Sequence, residues 1–209
     1  MAGSSKAEER RQRRGERRRE AILLSAAQAF AAKGYHNATT REIAAAADLA
    51  EGTIFNYFPT KHDLLIAVFE QGFDRLRETA LGRLSPALPP RQALSEALEA
   101  VLAFYGENRL FIRAALAETW TDPDLLQTHA LPRLQQLAGS LEAYLQAQIA
   151  AARLRPLDTA LAVRLVLGMI AALVLPIVRG VQPAPDPEER RRLAENVIDL
   201  LLSGIGAPT

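Results

Sequence analysis

Alanine and leucine make up a third of this chain, and this restricts the possible folds more than any other feature of the sequence. Of 209 residues, 38 are alanine and 32 are leucine, whereas valine, isoleucine and threonine number only 8, 10 and 10. Alanine and leucine are strong helix formers, while β-strands favour the three residue types that are scarce here. The sequence therefore predicts an all-α fold of about nine helices, placed by apolar residues at helical spacing.

The residue types that usually hold metals or form covalent intermediates are scarce. The chain has no cysteine, and its histidines, His36, His62 and His129, lie 26 and 67 residues apart. No two of them can therefore lie one turn apart on a helix around a metal, and the chain also lacks a glycine-rich phosphate loop. We expect no metal, no cofactor and no enzymatic activity.

No segment of the sequence is predicted to cross a membrane. The longest apolar run, Leu165 to Val178, has 14 residues. A helix needs about 20 apolar residues to span a bilayer, so this run predicts a buried helix. The first twenty residues lack the apolar segment of a signal peptide. We expect a cytoplasmic protein without membrane contact.

Positive charge is concentrated near the N-terminus. Residues 1–61 carry 11 Lys and Arg against 7 Asp and Glu, a net charge of +4, whereas residues 62–209 carry 14 against 17, a net charge of −3. Eight basic residues lie in the first twenty positions: Lys6, Arg10, Arg11, Arg13, Arg14, Arg17, Arg18 and Arg19. This pattern predicts a flexible basic arm at residues 1–15 and an N-terminal face that binds a polyanion. The alternative is a solvated tail.

Three short helices are predicted within residues 16–60. Apolar spacing predicts a first helix from Gly15 to Lys33, which Gly34 ends. Thr39 and Glu42 form a capping box that opens a second helix, and a third helix follows from Glu51 to Tyr57. Two short helices joined by a tight turn are typical of the helix-turn-helix, whose second helix enters the DNA major groove. Short helix pairs also occur in helical proteins that bind no DNA.

An ordered set of motifs runs through residues 34–65: Gly34-Tyr35, Thr39-Thr40-Arg41-Glu42-Ile43-Ala44, Gly52-Thr53-Ile54-Phe55-Asn56-Tyr57-Phe58, Lys61 and Leu64-Leu65. This set resembles the N-terminal domain of the TetR family of transcriptional regulators. The rest of the chain agrees with that family in length and helix content. The resemblance implies a DNA-binding domain at residues 16–60 and a ligand-binding and dimerisation domain at residues 61–209, joined by a connecting helix at about residues 61–84.

The resemblance also implies a function. TetR-like regulators are homodimers that bind a palindromic operator in double-stranded DNA, and a small-molecule effector releases them. We expect a ligand-responsive repressor of this kind, with a small apolar or aromatic effector. Two alternatives are a constitutive or architectural DNA-binding protein without an effector and, less favoured by the residue content, a helical enzyme.

The resemblance carries over to particular DNA contacts. Arg41 can read a guanine through two hydrogen bonds, and Thr53 and Asn56 match base-facing positions of the recognition helix. Tyr57 and Lys61 match phosphate contacts. The full predicted set is Thr40, Arg41, Glu51, Gly52, Thr53, Phe55, Asn56, Tyr57 and Lys61.

Three residues depart from the family pattern. Phe55 stands where tyrosine is usual, which removes one phosphate hydrogen bond. Asp48 stands in the turn where glycine is common, although aspartate tolerates the left-handed conformation better than most residues. Ala50 leaves the third helix without a side-chain cap, at a cost of about 1 kcal/mol.

Two helices near the C-terminus are predicted to form a dimer interface. The helix at about residues 158–179 is apolar nearly all round, and the helix at about residues 187–202 has a row of leucines. Paired with the same helices of a second copy, they would form a four-helix bundle around a twofold axis. The predicted interface residues are Leu165, Ala172, Val197 and Leu201. The alternative is a core formed within one subunit.

Aromatic residues concentrate in the central helices, together with a few polar groups. This combination predicts an apolar effector cavity with polar anchors. The predicted contacts are Phe104, Asn108, Phe111, Arg113, Trp120, His129, Tyr144 and Met169. The alternatives are that these aromatic side chains form ordinary core and that His129 lies in an exposed loop.

Overall fold

A computed structural model describes the backbone of residues 2–203 and the side chains of residue 8 and residues 10–203. It contains nine α-helices and one π-helical turn: α1 (Ala2–Asn37), α2 (Thr40–Ala46), α3 (Glu51–Phe55), α4 (Lys61–Leu81), α5 (Pro90–Glu107), α6 (Arg109–Thr121), the π turn (Leu125–Ala130), α7 (Leu131–Ala150), α8 (Thr159–Val178) and α9 (Pro187–Ser203). No strand occurs among residues 2–203. The predicted all-α fold is confirmed.

The first helix is longer than the sequence predicts. Residues 2–15, expected to form a flexible arm, are part of α1. The high density of charge suggests a flexible arm. However, arginine, glutamate and glutamine are strong helix formers, so they continue the helix toward the N-terminus. Near the other end of α1, Gly34 interrupts the helix with φ 76° and ψ 165°. The predicted break at Gly34 is therefore confirmed.

The helix-turn-helix forms through the local signals that predict it. The Thr39 side chain accepts a hydrogen bond from the Glu42 backbone N–H, and the Glu42 carboxylate accepts one from the Thr39 N–H, which completes the capping box of α2. Asp48 adopts the left-handed conformation in the turn, with φ 56°. Ala50 precedes α3 and provides no side-chain cap. All three expectations are confirmed.

Two apolar cores are present, and the first extends beyond the predicted DNA-binding domain. It is centred on buried residues of α1 to α4, such as Ile22, Ile43 and Ile54, but also includes Ala115 of α6 and Leu125 of the π turn. The second core is built by α5, α7, α8 and α9. We call α1 to α3 and the first half of α4 the head, and we call the second half of α4 with α5 to α9 the body. Head and body are therefore packed directly against each other.

The segment before α7 differs from the expected single helix with a kink at Pro132. The chain instead forms the π turn and then starts α7 at Leu131. Pro132 lies in the first turn of α7. No kink is needed there, because the first backbone N–H groups of a helix have no partner within that helix.

The apolar helix α8 is less buried than expected. Helix α8 is long and apolar enough to cross a membrane, and an 18-residue window within it has a mean hydropathy of 2.5. Only 22% of that window is buried within the subunit. The sequence predicted a buried helix. The subunit covers only one side of it, because α5, α6 and α7 all pack on that side and the opposite side faces outward.

We predict that Ala50→Ser stabilises the protein, because a serine at this position can accept a hydrogen bond from a free N–H at the start of α3. The free energy of unfolding should rise by about 0.5–1 kcal/mol. Chemical denaturation of the two proteins measures the difference. Ala46→Ser is the matched control, since Ala46 is an exposed alanine at the end of α2. A gain as large in the control would contradict the capping explanation.

Candidate DNA-binding surface and ligand cavity

The predicted DNA contacts lie on α2, on α3 with the two residues after it, and at the start of α4. Each of the nine residues is at least partly exposed. Between them, Ile54 and Phe58 point inward and are 1% and 4% exposed, which fixes α3 on the head. A short, exposed helix held this way matches the arrangement that inserts into a DNA major groove. The structure therefore brings all nine predicted residues onto the outside of the head.

Two of these residues hold the two short helices together. The Thr40 hydroxyl donates a hydrogen bond of 2.6 Å to the Glu51 carboxylate, which links the first turn of α2 to the first residue of α3. Glu51 is therefore positioned by Thr40, and the pair fixes the angle between α2 and α3.

Lys61, at the first position of α4, contacts the end of α1. Its ammonium lies 4.5 Å from the centre of the Tyr35 ring and donates a hydrogen bond of 3.2 Å to the backbone carbonyl of His36. Burial lowers the pKa of Lys61, and the Glu118 carboxylate partly opposes that effect. These contacts hold the positive charge of Lys61 at the junction of α1 and α4.

A set of histidine–carboxylate contacts, which no local sequence pattern predicts, joins the head to the body. His36 Nε2 lies 3.5 Å from Glu118 Oε2, His62 Nε2 lies 2.6 Å from Asp122 Oδ2, and His129 Nδ1 lies 3.1 Å from Glu70 Oε1. Each pair connects α1 or α4 with α6, the residue after it, or the π turn. The partners are at least 59 residues apart in sequence, so no local pattern indicates them.

Asp122 is the best-satisfied carboxylate of this junction. Its oxygens accept hydrogen bonds from the backbone N–H groups of Leu125 and Asp124, in addition to the contact with His62. The Leu125 hydrogen bond first, and then the one from His62, hold the pKa of Asp122 below its usual value. The carboxylate therefore stays charged and ties the start of the π turn to α4.

An apolar cavity of about 130 Å³ lies inside the body. Five helices contribute to its wall: α4, α5, α7, α8 and α9. Among the lining side chains are Leu76, Leu81, Tyr105, Leu137, Ile170 and Ile198. Tyr105 carries a hydroxyl group, and burial raises its pKa.

Met169 is the one predicted effector contact that lines this cavity. Trp120 is 87% exposed at the end of α6, so it cannot form part of an enclosed site there. Phe111 faces α4, where a Cβ built on Gly72 would lie 3.4 Å from its ring, and it packs on the first core. The prediction that the aromatic residues share one cavity is wrong, because α6 turns its side chains toward the head.

The remaining predicted effector contacts also have other roles. Asn108 donates a hydrogen bond to the Phe104 carbonyl and ends α5, while Arg113 is exposed. Tyr144 is buried in the second core, away from the cavity lining. His129 lies in the π turn with its side chain 19% exposed, so it is neither a cavity residue nor an exposed loop residue.

The sequence feature that corresponds to the cavity is a set of aliphatic residues at helical spacing. Leu76, Ala80 and Leu81 follow one face of α4, with Leu84 shortly after its end. Leu134, Leu137 and Leu141 follow one face of α7. Such rows are also typical of solid core, so the sequence alone does not distinguish a cavity from complete packing.

A row of small and leucine side chains remains uncovered on α8. Leu161, Leu165 and Leu175 are 46%, 57% and 45% exposed, and the exposed Gly168 and Ala172 lie between them. Successive members are three or four residues apart, so they share one face of the helix. We call this row the α8 outer face; it contains two of the four predicted interface residues, Leu165 and Ala172.

The other two predicted interface residues, on α9, face the interior of the subunit. Val197 and Leu201 line the cavity, because α9 packs this side against α5. Their assignment to the dimer surface is therefore corrected. Leu200 and Leu202, 57% and 39% exposed, are the apolar side chains that the end of α9 presents outward.

Family models match both parts of the chain. The model described as bacterial regulatory proteins, tetR family, matches residues 22–68. The model described as AefR-like transcriptional repressor, C-terminal domain, matches residues 92–204, more than half of the 209 residues. The first match covers the helix-turn-helix, and the second covers nearly all of α5 to α9, which form the cavity wall together with α4.

Individual members of this group of regulators are also similar to the chain along most of its length. A fatty acid metabolism regulator protein from Bacillus subtilis is 27% identical over 190 residues, which cover 88% of this chain and 93% of that protein. The crystal structure of the TetR family regulator PfmR from Thermus thermophilus is 25% identical with a TM-score of 0.68, covering 89% of this chain and 99% of that one. Both similarities extend across head and body.

One solved relative contains a ligand. The transcriptional regulator FadR from Bacillus subtilis, in complex with stearoyl-CoA, has a TM-score of 0.72 and 22% identity, with 90% of this chain and 99% of that chain covered. At this identity the similarity shows a common fold.

Proposed function

This chain belongs to the TetR family of bacterial transcriptional regulators, and from that membership we propose that it is a homodimeric repressor of a palindromic operator, released by an effector with a long apolar chain. The apolar cavity in the body is the observation that carries the effector assignment. Operator DNA lies in the bacterial cytoplasm, so we propose that the protein acts there. Within the chain, we assign DNA binding to residues 16–60 and ligand binding and dimerisation to residues 61–209.

The DNA-binding role is supported by the exposed surface of α2 and α3. Arg41 is exposed next to the Thr40–Glu51 pair, and a guanidinium can read a guanine through two hydrogen bonds. Asn56 is exposed just after α3 and can read an adenine. We assign phosphate contacts to Tyr57 and Lys61. The ammonium of Lys61 can reach a phosphate by leaving the Tyr35 ring, because that contact is on the protein surface.

We assign the second copy of the chain as the partner that covers the α8 outer face. Leucines at both ends of this row and small residues at its middle allow two helices to approach closely, and a twofold axis makes such a face complementary to itself. Leu200 and Leu202 at the end of α9 extend the apolar surface. The resulting four-helix bundle would hold the two heads at a fixed distance.

The effector assignment rests on the chemistry of the cavity wall. Its lining is aliphatic apart from the thioether of Met169 and the Tyr105 ring and hydroxyl, so it favours a hydrocarbon chain over a charged group. The similarity to a fatty acid metabolism regulator agrees with a fatty acyl ligand. We propose a long-chain fatty acid or acyl-CoA whose chain enters the cavity and whose charged end remains outside it.

Release from DNA follows from the size of the cavity. Its 130 Å³ is smaller than the roughly 300–1,000 Å³ of most ligand pockets, so a long chain must move the surrounding helices apart. The second half of α4 forms part of the wall, and the first half belongs to the head core. A tilt of α4 therefore moves the head.

Small movements of the heads suffice to weaken DNA binding. The recognition helices of a twofold dimer must lie about 34–36 Å apart to enter successive major grooves. A hundredfold loss of operator affinity requires about 2.7 kcal/mol of coupling between ligand and DNA. By linkage, bound DNA must lower the affinity of the protein for the ligand by the same factor.

Selection of bound sequences from a random pool of DNA duplexes tests the proposed function as a whole. We expect enrichment of one palindromic sequence, and its affinity should fall when a long-chain acyl-CoA is added. Failure to enrich any sequence would contradict operator binding. Enrichment without an effect of fatty acids or acyl-CoAs of any chain length would favour the constitutive DNA-binding alternative.

We predict different losses for the two kinds of DNA contact. Lys61→Ala should weaken binding equally for all operator variants. It should also reduce the slope of log affinity against log salt concentration by about one for each subunit, because one phosphate contact is lost. Arg41→Ala should instead relax discrimination at one base pair by about 1–3 kcal/mol. Titrations of single-base operator variants at several salt concentrations measure both effects. A uniform loss for Arg41→Ala would identify it as a phosphate contact.

We predict that Leu165→Glu produces monomers, because the dimer would bury an unpaired charge at a cost of several kcal/mol. Sedimentation velocity at micromolar concentration distinguishes the two states. Leu24→Glu is the matched control, since Leu24 is a leucine of α1 with a comparable 52% exposure. A monomeric wild-type protein, or dissociation of both variants alike, would contradict the proposed interface.

We predict that Ala97→Phe fills the cavity and removes the response to the ligand. Ala97 is 8% exposed and lines the cavity, so a phenyl ring there would occupy the space for the chain. Operator affinity should be retained, while the acyl-CoA concentration needed for release should rise about tenfold or more. Ala143→Phe, on the exposed side of α7, is the control. An unchanged response in Ala97→Phe would place the ligand elsewhere.

A further inference from the structure

Six of the arginines in the N-terminal part of α1 lie on one side of the helix. Because successive residues of an α-helix are about 100° apart, six exposed arginines fall within an arc of about 160°. The six are Arg10, Arg11, Arg13, Arg14, Arg17 and Arg18, and we call them the arginine face. The opposite side carries Glu8, Gln12, Glu16 and Glu20, spaced four residues apart. Apart from Arg19, which lies on that opposite side next to Phe58, positive and negative charge are thus separated around this helix.

This part of α1 passes directly beside the residues that follow the recognition helix. A Cβ built on Gly15 would lie 4.0 Å from the hydroxyl oxygen of Tyr57, and the Arg19 guanidinium lies 5.4 Å from the centre of the Phe58 ring. Arg11 and Arg18 are one turn before and after Gly15. One edge of the arginine face, at Arg11 and Arg18, therefore borders the side of α1 that meets Tyr57, our proposed phosphate contact.

The helix extends well past this contact. Residues 2–14 precede Gly15 within α1. At about 1.5 Å per residue, these 13 residues add about 20 Å of helix beyond the head. That length corresponds to about six base pairs of duplex, which rises about 3.4 Å per base pair.

The arginine face has no partner within the described part of the subunit. Among the side chains that the structure describes, no carboxylate lies within 4.0 Å of the six guanidinium groups. The chemistry of the face favours a polyanion with closely spaced charges. A membrane surface fits poorly, because a helix that binds there needs an apolar face, and residues 10–20 contain no apolar residue larger than glycine.

From these observations we infer that the arginine face is a second DNA-binding element, which contacts phosphates of the duplex outside the base pairs that α2 and α3 read. The inference rests on the proposed operator binding. It extends the footprint of each subunit by about six base pairs without adding base recognition. The added affinity depends steeply on salt, because each phosphate contact releases counterions.

The test uses the full chain and a duplex with the sequence that the protein selects from the random pool. One duplex ends at the selected sequence, and the other extends it by about eight base pairs of unrelated sequence at each end. The wild-type protein should bind the longer duplex about tenfold more tightly at low salt. Hydroxyl-radical footprinting should show protected sugars in the flanks.

The variant for this test combines Arg10→Gln, Arg14→Gln and Arg17→Gln. Glutamine is a strong helix former, so the helix should persist, and circular dichroism checks this. The variant should bind both duplexes with affinities within about twofold of each other. The slope of its log affinity against log salt concentration should fall by up to about five, because three arginines are lost in each of two subunits. The triple variant Arg75→Gln, Arg83→Gln and Arg155→Gln is the control, because these exposed arginines lie in the body and change the charge equally.

Several results would overturn the inference. Equal wild-type affinity for both duplexes would show that the flanks are not contacted, although operator binding itself would stand. An equal loss in the control variant would show a general effect of net charge. Binding of the arginine face to phosphatidylglycerol vesicles, with no effect of the variant on DNA, would assign a membrane instead. A wild-type protein that selects no DNA sequence would overturn the inference together with the proposed function.

Discussion

Helix α4 belongs to the head core at one end and to the cavity wall at the other, and the organisation of the molecule depends on this sharing. Leu64, Leu65 and Val68 in its first half are buried in the head core, while Leu76 and Leu81 in its second half border the cavity. One continuous helix therefore cannot change its direction at the cavity without changing it at the head. The backbone hydrogen bonds of an α-helix make it stiff over this length, so displacement at one end is carried to the other.

The histidine–carboxylate contacts give this junction a polar component beside the apolar one. His62 and Asp122 join the first turn of α4 to the end of α6, and His129 and Arg133 both contact Glu70 in the middle of α4. The contacts are partly exposed, so each contributes modestly to the free energy of unfolding. Their position matters more, because they restrain α4 at two points between the head and the cavity.

Local features of the structure could be predicted from the sequence, and long-range features could not. The capping box at Thr39, the left-handed Asp48 and the uncapped Ala50 each depend on neighbouring residues, and all three expectations are confirmed. The contact between His62 and Asp122 spans 60 residues, and no spacing rule indicates it. The prediction of the cavity failed for another reason, because it followed aromatic residues such as Trp120, whereas the cavity wall is mainly aliphatic.

In the proposed dimer, the uncovered face of α8 would make the stability of this protein depend on its concentration. A single subunit leaves Leu161, Leu165 and Leu175 largely in contact with water, whereas the proposed dimer removes them from it. Association would then contribute to the free energy of unfolding by mass action, so subunits at high dilution would be less stable. Because only the dimer presents two heads at the required distance, occupancy of an operator would rise faster than in proportion to the number of subunits in the cell.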